Sequence, residues 1–334
     1  MTQAEKASEN MAFKQMKMDI MEDKLSEAFS AAKIPHYILK GTQIQQRFPE
    51  GMTRISTDTD FFLDESCSDR VKEIMERLGF ALSGYYEASK TYSYQKEPRY
   101  HIEIHCQLED TDKPEKLAFL ETLLEHPTAD KGSRLRFCDE DLYIHTLFHL
   151  YKHFLHSGAG VKMFLDIFVL SRVLQIDMDH VDQRLQTIGL DGFNRAVLRE
   201  CDVLFCGALI DADMRLLTEK ILFDSAFGKR EGGWQRSKIL LSDHPARTGR
   251  ELIWDSVGAG KKNMTAKYPI LLKAPILTPL CHIHRAVKGV ITKPRVAVSS
   301  IKRIGNFLSV KKIKRQNRVL SAAGIKTDPK KRSE

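Results

Sequence analysis

Two carboxylates one residue apart, Asp58 and Asp60, are the side chains of this sequence best suited to bind a metal ion. They stand at the start of an apolar run, Phe61-Phe62-Leu63, which predicts a buried strand. Residues i and i+2 of a strand point to one face, so the two carboxylates are expected to project side by side. Carboxylates held that close repel each other, and a divalent cation relieves the repulsion. Because Mg²⁺ favours a few carboxylates plus substrate phosphates as ligands, the spacing predicts a metal–nucleotide site.

A third acidic residue, Glu103, lies in a second predicted strand that covers residues 99–108. Apolar residues alternate along this strand, and Glu103 lies between His101 and His105 on the other face. If the two strands are neighbours, three carboxylates converge. That number suffices to hold two cations roughly 4 Å apart, an arrangement that stabilises both oxygens of an in-line phosphoryl displacement.

A family resemblance rests on three segments that follow one another in the chain: Leu39-Lys-Gly41, Arg54-x-Ser-x-Asp-x-Asp60 and Ile102-Glu-Ile-His105. The chain resembles, from about residue 30 to about residue 175, the uncharacterised nucleotidyltransferase family of the DNA polymerase beta superfamily. The resemblance implies Mg²⁺-dependent transfer of a nucleotidyl group from an NTP, such as ATP, to an acceptor hydroxyl. A two-metal Mg²⁺ site is expected, with Mn²⁺ as the alternative ion.

The same resemblance assigns catalytic and metal-binding roles to the three acids. Asp58 and Asp60 hold both cations, and Glu103 binds the catalytic one and accepts the proton of the acceptor hydroxyl. The superfamily usually has Asp at this third position. Glu is one methylene longer and still reaches a metal ion, so the substitution is compatible with the expected site.

Nucleotide contacts are expected at the Lys40-Gly41 turn and at Arg54 and Ser56. By resemblance Gly41 forms the phosphate-side turn, Lys40 and Arg54 neutralise triphosphate charge, and Ser56 donates a hydrogen bond. Related enzymes usually have Gly-Ser at this turn, where the chain has Gly41-Thr42. Two alternatives stay open, namely that Lys40 is a plain surface lysine and that Arg54 pairs structurally with the Asp cluster.

The elements that follow are predicted to be helical, and one of them, residues 139–156, carries histidines at i, i+4 and i+8. Without a His-Glu-x-x-His pattern, packing and hydrogen bonding are expected for these histidines rather than zinc binding. The resemblance adds four residues that face the metal site and bind the nucleotide or acceptor: Lys152, His153, Lys162 and Asp166. The alternative for Asp166 is that it only orients one of the three cationic side chains, Lys152, His153 or Lys162.

Length and composition predict a chain of more than one domain without membrane-spanning segments. With 334 residues, 42% hydrophobic and 29% charged, it exceeds what one compact core usually serves. No apolar stretch approaches the roughly 20 residues needed to cross a bilayer. The N-terminus lacks the features of a signal peptide, and the six cysteines show no Cys-x-x-Cys spacing. The expectation is a cytoplasmic protein, with a peripheral position at the inner membrane surface as the alternative.

The predicted fold class is α+β, with a small mixed sheet covered by helices on one face. We expect a nucleotidyltransferase-like core at residues 1–110, a helical domain at 111–284 that completes the cleft, and a basic amphipathic helix with a disordered tail at 285–334. Strand signals stop after about residue 112. The proline-punctuated segment 268–280 predicts an extended strap, with buried packing favoured over contact with a membrane surface.

Basic residues are concentrated at the C-terminal end. Residues 285–334 hold 15 Lys and Arg against two acids, so the net charge of +8 leaves −5 for the first 284 residues. A basic amphipathic helix binds anionic surfaces, and RNA, acidic lipid or a polysaccharide precursor would suit it; a solvated helix face is the alternative. Two other functions therefore remain: a nucleotide-binding module that has lost catalysis, and an accessory protein that acts through this tail on membrane or RNA.

Overall fold

The computed structural model describes residues 3–56, 58–87, 89–97, 100–109, 111, 113–156, 158–223, 233–242, 244–256, 267–292, 295, 298–299, 302, 304–305 and 308–327. The chain forms two compact units. The first comprises Met1–His149 and Leu165–Ile188, and the second comprises Leu150–Phe164 and Gly189–Glu334. The domain boundaries near residues 110 and 284 stay predictions.

Up to residue 188 the chain alternates helices with the strands of one sheet. Its elements are α1 Gln3–Ala31, β1 His36–Ile38, α2 Thr42–Gln45, β2 Thr59–Phe62, α3 Ser68–Arg77, β3 Ala81–Tyr86, β4 Thr91–Lys96, β5 Tyr100–His105, α4 Pro114–Thr122, β6 Thr128–Ala129, β7 Arg134–Arg136, α5 Asp139–His156, α6 Val161–Val173 and α7 Met178–Gln186. The strands form a seven-stranded sheet in the order β3-β4-β5-β2-β1-β7-β6. Strand β2 is parallel to β5 and β1 is parallel to β7, whereas the other pairs are antiparallel. The predicted α+β class is confirmed.

The core of the first unit lies on one face of this sheet. Phe29 of α1 packs edge-on against Phe61 of β2, with 5.3 Å between ring centroids, and both side chains are fully buried. Ile102 and Ile104 of β5 share this cluster with Ile74 of α3. Truncating such a buried aromatic ring to alanine costs about 3–5 kcal/mol. Because side chains alternate along β2 and β5, Asp60 and Glu103 lie on the opposite face.

Three strands were not expected from the sequence. Strand β3 is an edge strand with largely exposed side chains, so it lacks the apolar alternation that marks a half-buried strand. Strands β6 and β7 contradict the prediction that strand signals stop after residue 112, and β7 carries two arginines in three residues. Hydrogen bonds with β1, about 100 residues earlier in the chain, stabilise β7.

Most local predictions for the sheet region are confirmed, with one correction at a helix start. The sequence predicts a hairpin of residues 92–94 and 100–108 around Glu97-Pro98 and a helix end at Gly79. Strands β4 and β5 form this antiparallel pair, and Gly79 follows α3 with a φ of +79°. The turn at Pro98 lies outside the described residues. A serine ahead of the apolar stripe of α3 predicts an N-cap at Ser68, but Ser68 is the first residue of the helix. The carboxylate of Asp64 instead accepts the backbone N–H of Ser66, at 2.9 Å, and caps a short 3-10 turn ahead of the helix.

The second unit is helical in its described part. Its further helices are α8 Asp191–Cys206, α9 Ala212–Phe223, α10 Gly233–Leu240, α11 Pro245–Ser256, α12 Thr278–Thr292 and α13 Val310–Ala322. The rings of Phe154 and Phe193 meet in its core at 5.7 Å. Gly192 and Gly324 bring two backbones so close that a Cβ on Gly324 would lie 2.1 Å from the carbonyl oxygen of Gly192. Glycines and charged residues predict an exposed loop at residues 228–233; residues 228–232 lie outside the described residues, and Gly233 begins α10.

Two predictions for the C-terminal part are wrong. The segment 268–280 is not an extended strap: it forms 3-10 turns at Pro269–Leu272 and Pro275–Leu277 and then enters α12. Leu271 is buried, but Ile276 and Leu280 are exposed, so buried packing does not describe the segment. Residues 321–334 were expected to be disordered, yet within 321–327, the part that the structure describes, Ile325 is buried. No helix within the described ranges is both long and apolar enough to span a membrane.

Candidate functional site

Asp60 and Glu103 are direct neighbours on two adjacent parallel strands. The register of β2 and β5 pairs Asp60 with Glu103 and Phe62 with His105. Paired residues of neighbouring strands project to the same face, so the two carboxylates stand side by side. Asp60 is 4% exposed and the Glu103 side chain 25%. The expected convergence of the Asp strand and the Glu strand is confirmed.

His105 joins the two carboxylates from the next position on the same face of β5. Its Nε2 lies 3.4 Å from Asp60 Oδ1 and 3.4 Å from Glu103 Oε2. Its Nδ1 lies 3.1 Å from the hydroxyl of Thr91, which donates its own proton toward Ser89. The ring is thereby oriented with Nε2 toward the acids. Burial lowers the pKa of His105, but the hydrogen bonds to Asp60 and Glu103 raise it to about 9.

Lys40 provides the second cation at Asp60. Its Nζ donates to Asp60 Oδ2 at 2.7 Å. Burial raises the pKa of Asp60, but Lys40 and His105 outweigh that effect and hold the pKa well below its usual range. Burial lowers the pKa of Lys40, and the charges of Asp60, Glu109 and Asp58 raise it by more. Lys40 is therefore a charged residue of the acidic cluster and not a plain surface lysine.

Asp58 precedes β2 and acts on the same lysine. Its carboxylate charge contributes to the raised pKa of Lys40, which places Asp58 near the cluster. The close group of metal-ligating atoms in the described part of the chain consists of Asp60, Glu103 and His105, whose ligand atoms all lie within 4.8 Å of one another. The metal-binding roles of Asp58, Asp60 and Glu103 stay predictions.

The Lys40-Gly41-Thr42 turn is in contact with a carboxylate that the sequence did not indicate. Gly41 has a φ of +56°, a conformation that glycine adopts without strain. The Thr42 hydroxyl donates to Glu22 Oε1, and Glu22 Oε2 lies 2.5 Å from where a Cβ on Gly41 would stand. Burial raises the pKa of Glu22 to about 7 although Thr42 hydrogen bonds lower it. A carboxyl group of the protein itself, which is anionic only above about pH 7, thus occupies the turn where phosphate contact was predicted.

Arg54, Ser56 and Asp166 form one buried network within the first unit. The Arg54 guanidinium donates to both Asp166 oxygens, Nε at 2.7 Å and Nη2 at 3.0 Å, and its Nη1 donates to Ser56 Oγ at 2.8 Å. Gln15 of α1 accepts the backbone N–H of Ser56 at 2.6 Å, and Gln45 of α2 accepts that of Arg54. Arg54 therefore pairs with Asp166 rather than with the Asp58–Asp60 cluster. This network positions the loop that leads into β2.

The sequence model of the uncharacterised nucleotidyltransferase family matches residues 2–206, which include every element of this site. The chain belongs to this family. No curated protein and no solved structure matches the chain. The family match extends on both sides of the span, about residue 30 to about residue 175, over which the resemblance was expected.

Glu109 is a further acid near the site, and no pattern in the sequence indicated it. It follows β5, is 2% exposed, and accepts a hydrogen bond from His149 Nδ1 at 2.6 Å. His145 is fully buried and stacks on Phe137, with 5.3 Å between centroids. The packing and hydrogen-bonding roles expected for these two histidines are confirmed. Glu109 also adds negative charge near Lys40.

Lys152, His153 and Lys162 belong to the second unit, whereas Asp166 belongs to the first. Lys152 and His153 lie in the last part of α5, and Lys162 lies in the first turn of α6. The backbone carbonyl of His153 accepts the N–H of Gly158 at 2.8 Å. Their predicted contacts with the nucleotide stay predictions.

The donor set at β2 and β5 suits a divalent cation. Two carboxylates and an imidazole that share one face provide oxygen and nitrogen ligands for such an ion. Carboxylates suit Mg²⁺ and Mn²⁺, and an imidazole ligand favours the transition metals. Of the residues missed, His105 could have been found from the sequence, because the i, i+2 rule that pairs Asp58 with Asp60 also pairs Glu103 with His105.

Proposed function

We propose that this protein is a divalent-metal-dependent nucleotidyltransferase that transfers a nucleotidyl group from an NTP to an acceptor hydroxyl. The observation that carries the proposal is the side-by-side register of Asp60 and Glu103, with His105 in contact with both carboxylates and Lys40 in contact with Asp60. Family membership supports nucleotidyl transfer as the reaction class. The placement in the DNA polymerase beta superfamily belongs to the proposal.

Asp60 and Glu103 would hold the metal ion, with Asp58 and, once its Nε2 proton has left, His105 as the neighbouring candidate ligands. When bound, a divalent cation neutralises phosphate charge and lowers the pKa of the attacking hydroxyl. The resident cations Lys40 and His105 balance the charge of the acids before the ion binds. Because Asp60 keeps a depressed pKa, it is ionised and ready to act as a ligand at neutral pH.

The proposed reaction forms one P–O bond and breaks another. The acceptor oxygen attacks the α-phosphorus of the NTP, the bond to the bridging oxygen of the β-phosphate breaks, and pyrophosphate leaves. The hydroxyl proton passes to Glu103, whose side chain is more exposed than those of Asp60 and His105. Lys40 stabilises negative charge that develops on the phosphates.

Phosphate can bind at the Gly41-Thr42 turn only if the Glu22 side chain moves away from it. Two anionic groups at one turn repel, so the incoming phosphate and the Glu22 carboxylate compete for the Thr42 hydroxyl. Arg54 acts indirectly in this proposal, since its guanidinium is committed to Asp166 and Ser56. It positions the 54–58 segment and with it the acidic strand.

Calorimetric titration of the four NTPs, each with and without Mg²⁺ or Mn²⁺, tests the proposal. Asp60→Asn and Glu103→Gln remove one ligand charge each while keeping side-chain shape. Asp69→Asn and Glu73→Gln, at exposed positions of α3, serve as matched controls. Binding that needs both the metal and the two site acids supports the proposal. Absence of metal-dependent binding in the folded wild type contradicts it and favours a non-catalytic module.

A further inference from the structure

The C-terminal part of the second unit carries a long segment without negative charge. From residue 256 to residue 327 the sequence contains 16 Lys and Arg and no Asp or Glu. Helix α13 presents five exposed basic residues within this segment, namely Lys311, Lys312, Lys314, Arg315 and Arg318. The same helix is anchored by Val319 and Leu320, which are buried. A solvent-facing surface of this composition attracts polyanions.

Helix α12 and the 3-10 turn before it, which belong to the same acid-free segment, carry an apolar stripe. Ile276, Leu280, Ile283 and Val287 are 86%, 64%, 62% and 54% exposed. Leu280, Ile283 and Val287 are three and four residues apart, which places them on one side of the helix, and Ile276 precedes them in the 3-10 turn. Lys288 is exposed and Arg285 is partly exposed on the same helix. Four large aliphatic side chains in a single exposed row are more than the scattered apolar residues of an ordinary surface.

We propose that α12 binds an anionic lipid bilayer, with this stripe inserted at the boundary between headgroups and acyl chains. An interfacial helix combines an apolar face with flanking Lys and Arg, which are attracted to acidic headgroups. This inference goes beyond the proposed nucleotidyl transfer and does not depend on it. It assigns a partner to the second unit.

Charge and side-chain chemistry favour lipid over the other partners. A polynucleotide would use the basic residues, but it offers no apolar surface for four aliphatic side chains, and single-strand binding relies on aromatic stacking. A second copy of the chain could cover the stripe, but it would bring together two surfaces with no acidic residue between positions 256 and 327. Such like-charged surfaces repel each other.

Co-sedimentation of the full chain with lipid vesicles tests the proposal. The vesicles contain phosphatidylcholine alone or an equal mixture of phosphatidylcholine and phosphatidylglycerol. We expect wild type to bind the anionic vesicles and to be released by high salt. The triple variant Leu280→Ser/Ile283→Ser/Val287→Ser is expected to bind about tenfold or more weakly, because its apolar face no longer inserts. The double variant Arg285→Gln/Lys288→Gln is also expected to bind about tenfold or more weakly, because it lacks two basic side chains that are attracted to acidic headgroups.

The matched control is Leu209→Ser/Leu222→Ser, which removes two exposed aliphatic side chains elsewhere in the second unit. It should bind like wild type, and all variants should keep the wild-type unfolding temperature because the changed residues are exposed or partly exposed. Failure of wild type to bind anionic vesicles overturns the proposal. Equal binding by the triple variant and wild type overturns it as well.

Two parallel measurements identify the alternatives. In the first, wild type and the triple variant bind polyuridylate equally well and neither binds vesicles. This result contradicts the proposal and indicates an RNA partner. In the second, sedimentation velocity shows that wild type is a dimer and the triple variant a monomer, and neither binds vesicles. This result contradicts the proposal and indicates self-association.

Discussion

Lys40 Nζ lies 2.7 Å from Asp60 Oδ2, so the central carboxylate of the site is already paired with a cation of the protein. The contact joins the turn after β1 to the middle of β2, and the Asp60 side chain is 4% exposed. His105 approaches the other oxygen of the same carboxylate at 3.4 Å. Lys40 and His105 therefore already balance part of the negative charge that a metal ion meets when it binds Asp60.

This relationship predicts opposite effects of Lys40→Met on metal and on nucleotide. Without the ammonium, the free ion meets less repulsion at Asp60, so Mn²⁺ alone should bind more tightly. The NTP loses a charge-assisted contact worth about 1.5–3 kcal/mol, so its affinity should fall about tenfold to a hundredfold. Calorimetry of Mn²⁺ and of Mn²⁺·NTP measures both, with Lys72→Met at an exposed position of α3 as control. A parallel loss of both affinities would contradict the account.

His105 is expected to set the preference between metal ions. An imidazole nitrogen suits transition metals better than Mg²⁺, so His105→Asn should weaken Mn²⁺ binding about tenfold and Mg²⁺ binding far less. The matched control is His101→Asn, since His101 lies on the same strand face and bonds Ser93 at 2.9 Å. If both variants leave the ratio of Mn²⁺ to Mg²⁺ affinity unchanged, His105 is not a ligand and serves only to balance charge.

Arg54 and Asp166 are expected to behave as a structural pair. Removing one partner leaves a buried charge without its counter-ion, so Arg54→Met and Asp166→Leu should each lower the free energy of unfolding by about 3–5 kcal/mol. The double variant should lose less than the sum of the two because neither charge remains. Urea unfolding measures these values, and the exposed Arg199–Asp211 pair provides a control, expected to be worth about 1 kcal/mol or less. Strict additivity would contradict the pairing.

Glu22 is expected to lower stability above neutral pH. Its pKa is about 7 in the folded chain and returns to its ordinary value of 4.5 on unfolding, so the folded state binds more protons between these values. Stability therefore falls as the pH rises from about 4.5 to about 7, by up to about 3 kcal/mol. Glu22→Gln should be more stable than wild type at about pH 8 and should gain nothing at about pH 4.5.

A second buried acid supplies the control for Glu22. Burial raises the pKa of Glu200 to about 7, although its hydrogen bond from Thr218 lowers it, and it lies in the second unit. Glu200→Gln should show the same pH-dependent stabilisation. Only Glu22→Gln should also strengthen NTP binding, about tenfold at about pH 8, because only Glu22 faces the Gly41-Thr42 turn. Equal NTP affinity in both variants would show that phosphate does not bind at this turn.

The parts of the site that a local pattern encodes could be predicted from the sequence. Alternation along residues 99–108 places Glu103 on the polar face of its strand, and the apolar residues after Asp60 mark the neighbouring strand. The same alternation contains His105. These features depend only on the period of two residues in a strand.

Contacts between segments that are far apart in the sequence could not be predicted from such local patterns. Arg54 and Asp166 are 112 positions apart, and nothing near either residue indicates the other. Glu22 and Thr42 meet because α1 packs against the sheet, and a carboxylate on a long helix looks like an ordinary exposed acid in the sequence. Strand β7 exists because β1 offers hydrogen-bonding groups, and its own three residues carry little strand signal.

Mn²⁺ binding is best measured by electron paramagnetic resonance in wild type, Asp60→Asn, Glu103→Gln and the control Asp69→Asn. We infer that the neighbouring carboxylates of β2 and β5 hold the ion together. We predict that wild type and the control bind Mn²⁺ alike and that each site variant binds about tenfold or more weakly. Equal Mn²⁺ affinity in all four proteins would contradict the claim.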